Sequence, residues 1–236
     1  MDNSEITQHY SQQFNADLEE IRENVLAMGG LVERQLENAI EALKASESDL
    51  ADTVVANDYK VNAFDVDIDE RCTNILALRQ PTASDLRLVL TVIKTTADLE
   101  RIGDEAKRIS RLAFQNTSSD PGNLYLRIED LGERVRSMLH RALDSFARMD
   151  VEGAIAVAHK DKKIDRLYES IMRQSITYMM EDPRSIPLFM NIIWSARALE
   201  RIGDRCCNIC EYVIYFVKGK DVRHISLEQI QKEFGE

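Results

Sequence analysis

The chain is 236 residues long, 44% hydrophobic and 30% charged, the balance of a globular protein with one large or two small cores. Its net charge of −11 disfavours a general nucleic-acid partner. Nine glycines and four prolines are too few turn residues for an all-β chain, and no apolar run approaches the ~20 residues that span a bilayer.

The N-terminus, Met1-Asp2-Asn3-Ser4-Glu5, is polar and acidic, with no signal-peptide core. Among the cysteines, Cys206, Cys207 and Cys210 crowd together and Cys72 stands apart. That is a poor disulfide framework and points to a reducing, cytoplasmic setting.

After a polar lead-in over residues 1–15, Phe14, Leu18, Ile21, Val25 and Met28 recur at helical spacing, and Leu31, Val32, Leu36, Ile40 and Leu43 continue the stripe. Gly29-Gly30 interrupts it. A glycine inside a helix costs about 1 kcal/mol relative to alanine, so the pair is expected to serve close packing within one continuous helix. Ser46-Glu47-Ser48-Asp49 ends this helix and caps the next, which runs over about 49–78. Gln80-Pro81-Thr82-Ala83-Ser84-Asp85 turns the chain, with Thr82 or Ser84 placed to cap a third helix over about 85–114. Residues 115–123, with Ser118-Ser119-Asp120-Pro121-Gly122, read as a linker. Three more helices follow, over about 124–149, 152–180 and 185–217, with Glu181-Asp182-Pro183-Arg184 as the last turn. Lys218-Gly219-Lys220 closes the sixth helix. The tail is polar, with one short amphipathic stretch from Leu227 to Phe234.

The two halves repeat each other. Glu100-Arg101-Ile102-Gly103-Asp104 recurs unchanged as Glu200-Arg201-Ile202-Gly203-Asp204. Upstream, Gly29, Val32, Leu36, Ala39, Ile40 and Leu43 match Gly132, Val135, Leu139, Ala142, Leu143 and Phe146 at an offset of 103 residues, and Asp58 and Asn62 match Asp161 and Asp165. The offset falls to 100 after the turns at Pro81 and Pro183, so the length difference lies in those turns. The expected fold is all-α: two tandem antiparallel three-helix bundles related by an internal repeat, the first over 1–118 with its lead-in and the second over 119–236 with its tail.

Glu100 and Asp104 lie one helical turn apart on one face, as do Glu200 and Asp204. In an antiparallel hairpin, residues equidistant from the turn share a level. Asp58 and Asp104 are equidistant from Pro81, as are Asn62 and Glu100; Asp161 with Asp204 and Asp165 with Glu200 centre on Asp182-Pro183. Four oxygen-bearing side chains therefore face one another in each half. No histidine stands at the spacing of a di-iron site, and oxygen ligation favours hard cations such as Mg²⁺, Mn²⁺, Ca²⁺ or iron. On the pattern alone two readings stand: a cation site and a solvated acidic face. Gly103 and Gly203 leave room for close approach. Arg101 and Arg201 point off the acid face and are expected to pair with acids on a neighbouring helix. Asp65 and Asp69 continue the Asp58 face, but their counterparts Tyr168 and Met172 are not acidic, so they read as charged surface. Cys207 and Cys210 lack a second pair of soft ligands and read as packing residues.

Arg79-Gln80-Pro81-Thr82-Ala83-Ser84-Asp85-Leu86-Arg87, Asp98 through Asp104, Tyr178-Met179-Met180-Glu181-Asp182 and Ala198 through Cys206 together resemble the PhoU family of phosphate-uptake regulators, over about residues 14–219. The resemblance implies a dimeric, non-enzymatic regulator of phosphate homeostasis, cytoplasmic or peripheral at the inner membrane through its partners. Those partners are the ATPase subunit of the phosphate ABC transporter and the sensor histidine kinase of a two-component system. It further implies repression of phosphate-starvation genes and restraint of uptake. Carried onto this chain, the family's metal motifs fall on Glu100, Asp104, Asp58 and Asn62 in the first half and on Glu200, Asp204, Asp161 and Asp165 in the second, as ligands for Mg, Mn or Fe. Asn62 departs from the acidic pattern, which favours the second half. The competing reading is a carboxylate-bridged metalloenzyme.

Overall fold

Apolar stripes at helical spacing leave each long segment with one side that must be covered, and six such segments cover one another. The computed structural model describes residues 3–45, 48–113 and 123–235. Its helices are α1 (Asn3–Ala45), α2 (Ser48–Arg79), α3 (Ala83–Ala113), α4 (Leu124–Arg148), α5 (Val151–Glu181), α6 (Ile186–Lys218) and α7 (Leu227–Phe234), with a 3₁₀ turn at Pro183–Ser185. No strand occurs among the described residues. The all-α expectation holds, as does the pair of three-helix units, α1–α3 and α4–α6. The junction at 118/119, most of the linker and Ser46-Glu47 lie outside the described residues.

Local sequence explains the turns. Met149 closes α4 in the left-handed region at φ 51°, and the Asp150 side chain then caps α5 by accepting from the Gly153 N–H at 3.0 Å. Asp182 caps the 3₁₀ turn that Pro183 opens, and this turn leads straight into α6. In the first half three residues, Gln80 to Thr82, span the corresponding gap between α2 and α3, with Gln80 and Ala83 both at positive φ. The difference in offset between the repeats is accounted for here. Gly219 ends α6 at φ 71°, a conformation that only glycine adopts without strain. A capping box between Ser226 and Gln229 starts α7, which buries Ile230 against the second bundle.

The halves are packed against each other. α3 runs antiparallel to α6 and α1 lies along α4, while α2 and α5 form opposite outer flanks. The apolar core runs without a break from Ile21 and Leu36 through Leu99 and Ile102 to Leu139, Leu199 and Ile202. The α1–α4 contact shows why Gly29 is a glycine: a β-carbon there would stand 2.6 Å from Leu143 Cδ2. Its repeat counterpart Gly132 meets Ile40, the counterpart of Leu143, with a β-carbon distance of 3.1 Å. One contact is thus made twice about a pseudo-twofold axis, and α1 passes through Gly29-Gly30 unbroken.

Between α3 and α6 the polar groups are asymmetric. Asp98 is 1% exposed and accepts from Tyr212 Oη at 2.9 Å, Arg205 Nη1 at 3.3 Å and Asn208 Nδ2 at 3.3 Å. Its repeat counterpart is Ala198, which is buried and apolar.

Candidate functional site

The two Glu-Arg-Ile-Gly-Asp stretches lie mid-way along α3 and α6. Ile102 and Ile202 are fully buried and anchor each stretch to the core. One residue on, each glycine lies against the outer helix of its own half. A β-carbon on Gly103 would come within 3.3 Å of Val61 on α2, and one on Gly203 within 3.4 Å of Asp161 Oδ1 on α5. Close helix approach is what these glycines allow, and it sets the acid faces of α3 and α6 towards α2 and α5.

In the second half all four predicted carboxylates act on one another. Burial, followed by the charges of Asp165 and Asp204, pushes Asp161 up to about 6, against a hydrogen bond from the Cys207 thiol. Glu200 is raised by burial and then by Asp204, with smaller contributions from Asp165 and Asp161. Asp204 is raised by burial and then by Asp165. Asp161 Oδ1 and Glu200 Oε2 are buried and have no hydrogen-bond partner, whereas Glu200 Oε1 accepts from Arg197 Nη1 at 2.5 Å. Raised carboxylates oppose folding once they ionise: the folded chain holds a proton that the unfolded chain releases, so stability falls as pH rises between the ordinary value and the raised one. A cation removes that penalty and gives the orphaned oxygens a partner. On both counts these side chains carry the charge and the oxygen donors that a hard cation needs, though they do not converge into a ready ligand set.

The first half is built differently. Asp58 is 5% exposed and accepts from Lys107 Nζ at 2.5 Å. The same ammonium lies 3.7 Å from Asp104 Oδ1. Asp58 and Asp104 do reach one level, as their distances from Pro81 predict, but a lysine joins them. Asn62 is exposed. Asp65, read from sequence as charged surface, instead stands close enough to Glu100 to raise it, after burial and Asp104. Asp65 is itself half-buried and raised by burial. Among the described residues, no three His, Cys, Asp or Glu side chains converge into a ready ligand set in either half.

Of the two arginines, Arg201 reaches across to Glu105 on α3 at 2.9 Å, while Arg101 turns back to Asp98 on its own helix at 3.5 Å. The four cysteines are free; Cys72, Cys206 and Cys210 are core residues and Cys207 is half-buried beside Asp161. Sequence reasoning missed Lys107. The signal was available, because Lys107 aligns with Cys207 at the same offset of 100 that aligns the two motifs.

The fold and site define a class: an all-helical protein of two repeated three-helix units, each with an acid pair on its third helix facing acids on its second. A PhoU domain is matched at residues 25–113 and again at 128–213. Over 232 residues the chain is 52% identical to the phosphate-specific transport system accessory protein PhoU of Serratia marcescens, covering 98% of this chain and 96% of that one. The crystal structure of PhoU from Pseudomonas aeruginosa superimposes with a TM-score of 0.85 at 49% identity, covering 88% of this chain and 100% of that chain. The phosphate transport system regulatory protein PhoU from Streptococcus pneumoniae superimposes with a TM-score of 0.83 at 30% identity, covering 89% and 99%. The chain belongs to the PhoU family.

Proposed function

We propose that this chain is the accessory protein of a phosphate-specific transport system and acts as a regulator without enzymatic activity of its own. The observation that carries the reading is identity of about half over nearly the whole length of relatives that are named for that role. In this reading it links the ATPase subunit of the phosphate ABC transporter to the sensor histidine kinase. When phosphate is plentiful it represses phosphate-starvation genes and restrains uptake, working as a homodimer in the cytoplasm or at the membrane surface through its partners. None of the described helices is long and apolar enough to cross a membrane, so membrane association would run through partners.

Asp161, Asp165, Glu200 and Asp204 would hold a hard cation, Mg²⁺, Mn²⁺ or iron, which when bound supplies positive charge on an otherwise acidic flank. The chain's own contribution is positional. Gly203 brings α5 close, Arg197 fixes one oxygen of Glu200, and burial excludes water from the inward oxygens.

Deleting the gene should switch on a phosphate-starvation reporter in phosphate-rich medium, and the intact gene supplied in trans should silence it again. A reporter that stays silent in the deletion strain would reject the regulatory reading. Co-purification with the ATPase subunit and the kinase tests the link between them.

A further inference from the structure

The two repeats solve the same electrostatic problem in different ways. In the second half, four carboxylates share a flank, two of their oxygens are buried without partners, and a half-buried thiol, Cys207, stands one turn past Asp204. In the first half the residue one turn past Asp104 is Lys107. Its ammonium sits 2.5 Å from the buried Asp58 and 3.7 Å from Asp104. Asp58 has no orphaned buried oxygen, whereas its counterpart, Asp161, has one. The Lys107 side chain is 22% exposed and that of Asp58 7%, so this pair is largely out of water.

We propose that Lys107 is a built-in cation that takes the place of a metal ion in the first half, so that this chain is metal-responsive through its second half alone. The inference rests on the proposed cation site at Asp161, Asp165, Glu200 and Asp204. The physical reason for exclusivity is charge and space. An ammonium on a tether is always present at the site, and a divalent ion could enter only by displacing it and leaving a cation stranded beside another cation. Asp58, Asp65, Glu100 and Asp104 would otherwise make a four-carboxylate set like that of the second half, with Asp65 in place of Asn62. One position, lysine in one repeat and cysteine in the other, therefore decides which half can respond to metal.

The experiment uses the full-length protein, stripped of metal with a chelator, in four forms: wild type, Lys107→Cys, Cys207→Lys and the double variant Asp58→Asn/Lys107→Cys. The first readout needs no metal. Lys107→Cys leaves Asp58 buried without a partner, and its melting temperature should fall by about 5–10 °C. The double variant should recover most of that loss. Cys207→Lys should melt above wild type, because it gives the second half the same tethered counter-ion. A Lys107→Cys protein that melts with wild type, or a Cys207→Lys protein that folds normally and gains nothing, overturns the built-in-cation reading whether or not metal binds.

The second readout is Mn²⁺ bound at equilibrium dialysis, measured by elemental analysis. Lys107→Cys should bind about twice the wild-type amount and regain its lost melting temperature on addition of Mn²⁺. Cys207→Lys should bind almost none. Equal binding by wild type and Lys107→Cys overturns the exclusivity. Absence of Mn²⁺ from wild type and Lys107→Cys alike rejects the underlying metal site, and the metal-free melting temperatures still decide whether Lys107 is the counter-ion.

Discussion

Asp98 shows how much one side chain holds. It is 1% exposed, and three donors from α6 converge on it: Arg205, Asn208 and Tyr212. Removing a buried carboxylate strands its partners, and such a change costs about 3 kcal/mol. Asp98→Ala should therefore lower the melting temperature by about 10 °C. Asp98→Asn keeps the shape and one acceptor oxygen for the donors and should lose somewhat less; equal losses would mean that charge rather than shape holds the contact. On the same face of α6, Glu211 is pushed up to about 7 by burial and then by Asp221, with a further push from Asp98 and a pull from Arg223. The sign follows directly. The folded form keeps a proton that the unfolded form releases above its ordinary value, so Glu211 weakens the fold progressively as pH rises from about 4.5 to about 7. Glu211→Gln should raise the melting temperature at pH 8 by about 2–4 °C, a gain discounted for partial solvent exposure, and the gain should vanish near pH 4.5.

At the scale of the elements, the glycine pair in α1 separates two roles that sequence alone merges. Gly29 is pressed against Leu143 on α4, while a β-carbon on Gly30 would meet nothing nearer than the Arg34 guanidinium at 3.7 Å. Gly30→Ala should stabilise the protein by about 0.5–1 kcal/mol through helix propensity. Gly29→Val should destabilise it by about 2 kcal/mol through overpacking of the α1–α4 seam. Thermal melts of the two variants check both signs, and a gain at both positions would show that the seam yields. The hairpins carry the same lesson. Three residues between α2 and α3 and a single residue between α5 and the 3₁₀ turn absorb the change in offset, so the two hairpins keep the same register. Lys107 therefore stands beside Asp58 as its counterpart Cys207 stands beside Asp161.

At the scale of the whole molecule, the repeat does not produce two independent domains among the described residues. One apolar core runs through both three-helix units, and α3 and α6 share the polar clamp at Asp98. Unfolding is expected to be a single cooperative transition. Trp194, the single tryptophan, lies on α6 under the Arg108 guanidinium of α3, so its fluorescence reports on the seam between the halves. Its denaturation curve should coincide with that of helicity by circular dichroism; a separate, earlier fluorescence change would show that the halves part before they unfold. The two Glu-Arg-Ile-Gly-Asp stretches lie mid-way along antiparallel neighbours, so a charge change on the α5–α6 flank is one helix away from the first half.

Helical periodicity, the internal repeat and the turn residues determined the six long helices, their pairing and the levels at which the acids face. These are local or period-based properties: a stripe at 3.6-residue spacing states its own structure, and a repeat states its own symmetry. The carboxylates Asp161, Asp165, Glu200 and Asp204 were legible for the same reason, since position along a hairpin follows from distance to its turn. What only the tertiary structure decided is what stands beside each acid. Asp58 and Asp161 align in sequence and occupy equivalent positions, yet one faces an ammonium and the other a thiol and an unfilled hydrogen bond. Asp65 read as surface and stands close enough to Glu100 to raise it. Electrostatic environment is set by neighbours within a few ångströms from several helices at once, and linear spacing on any one helix carries no record of them.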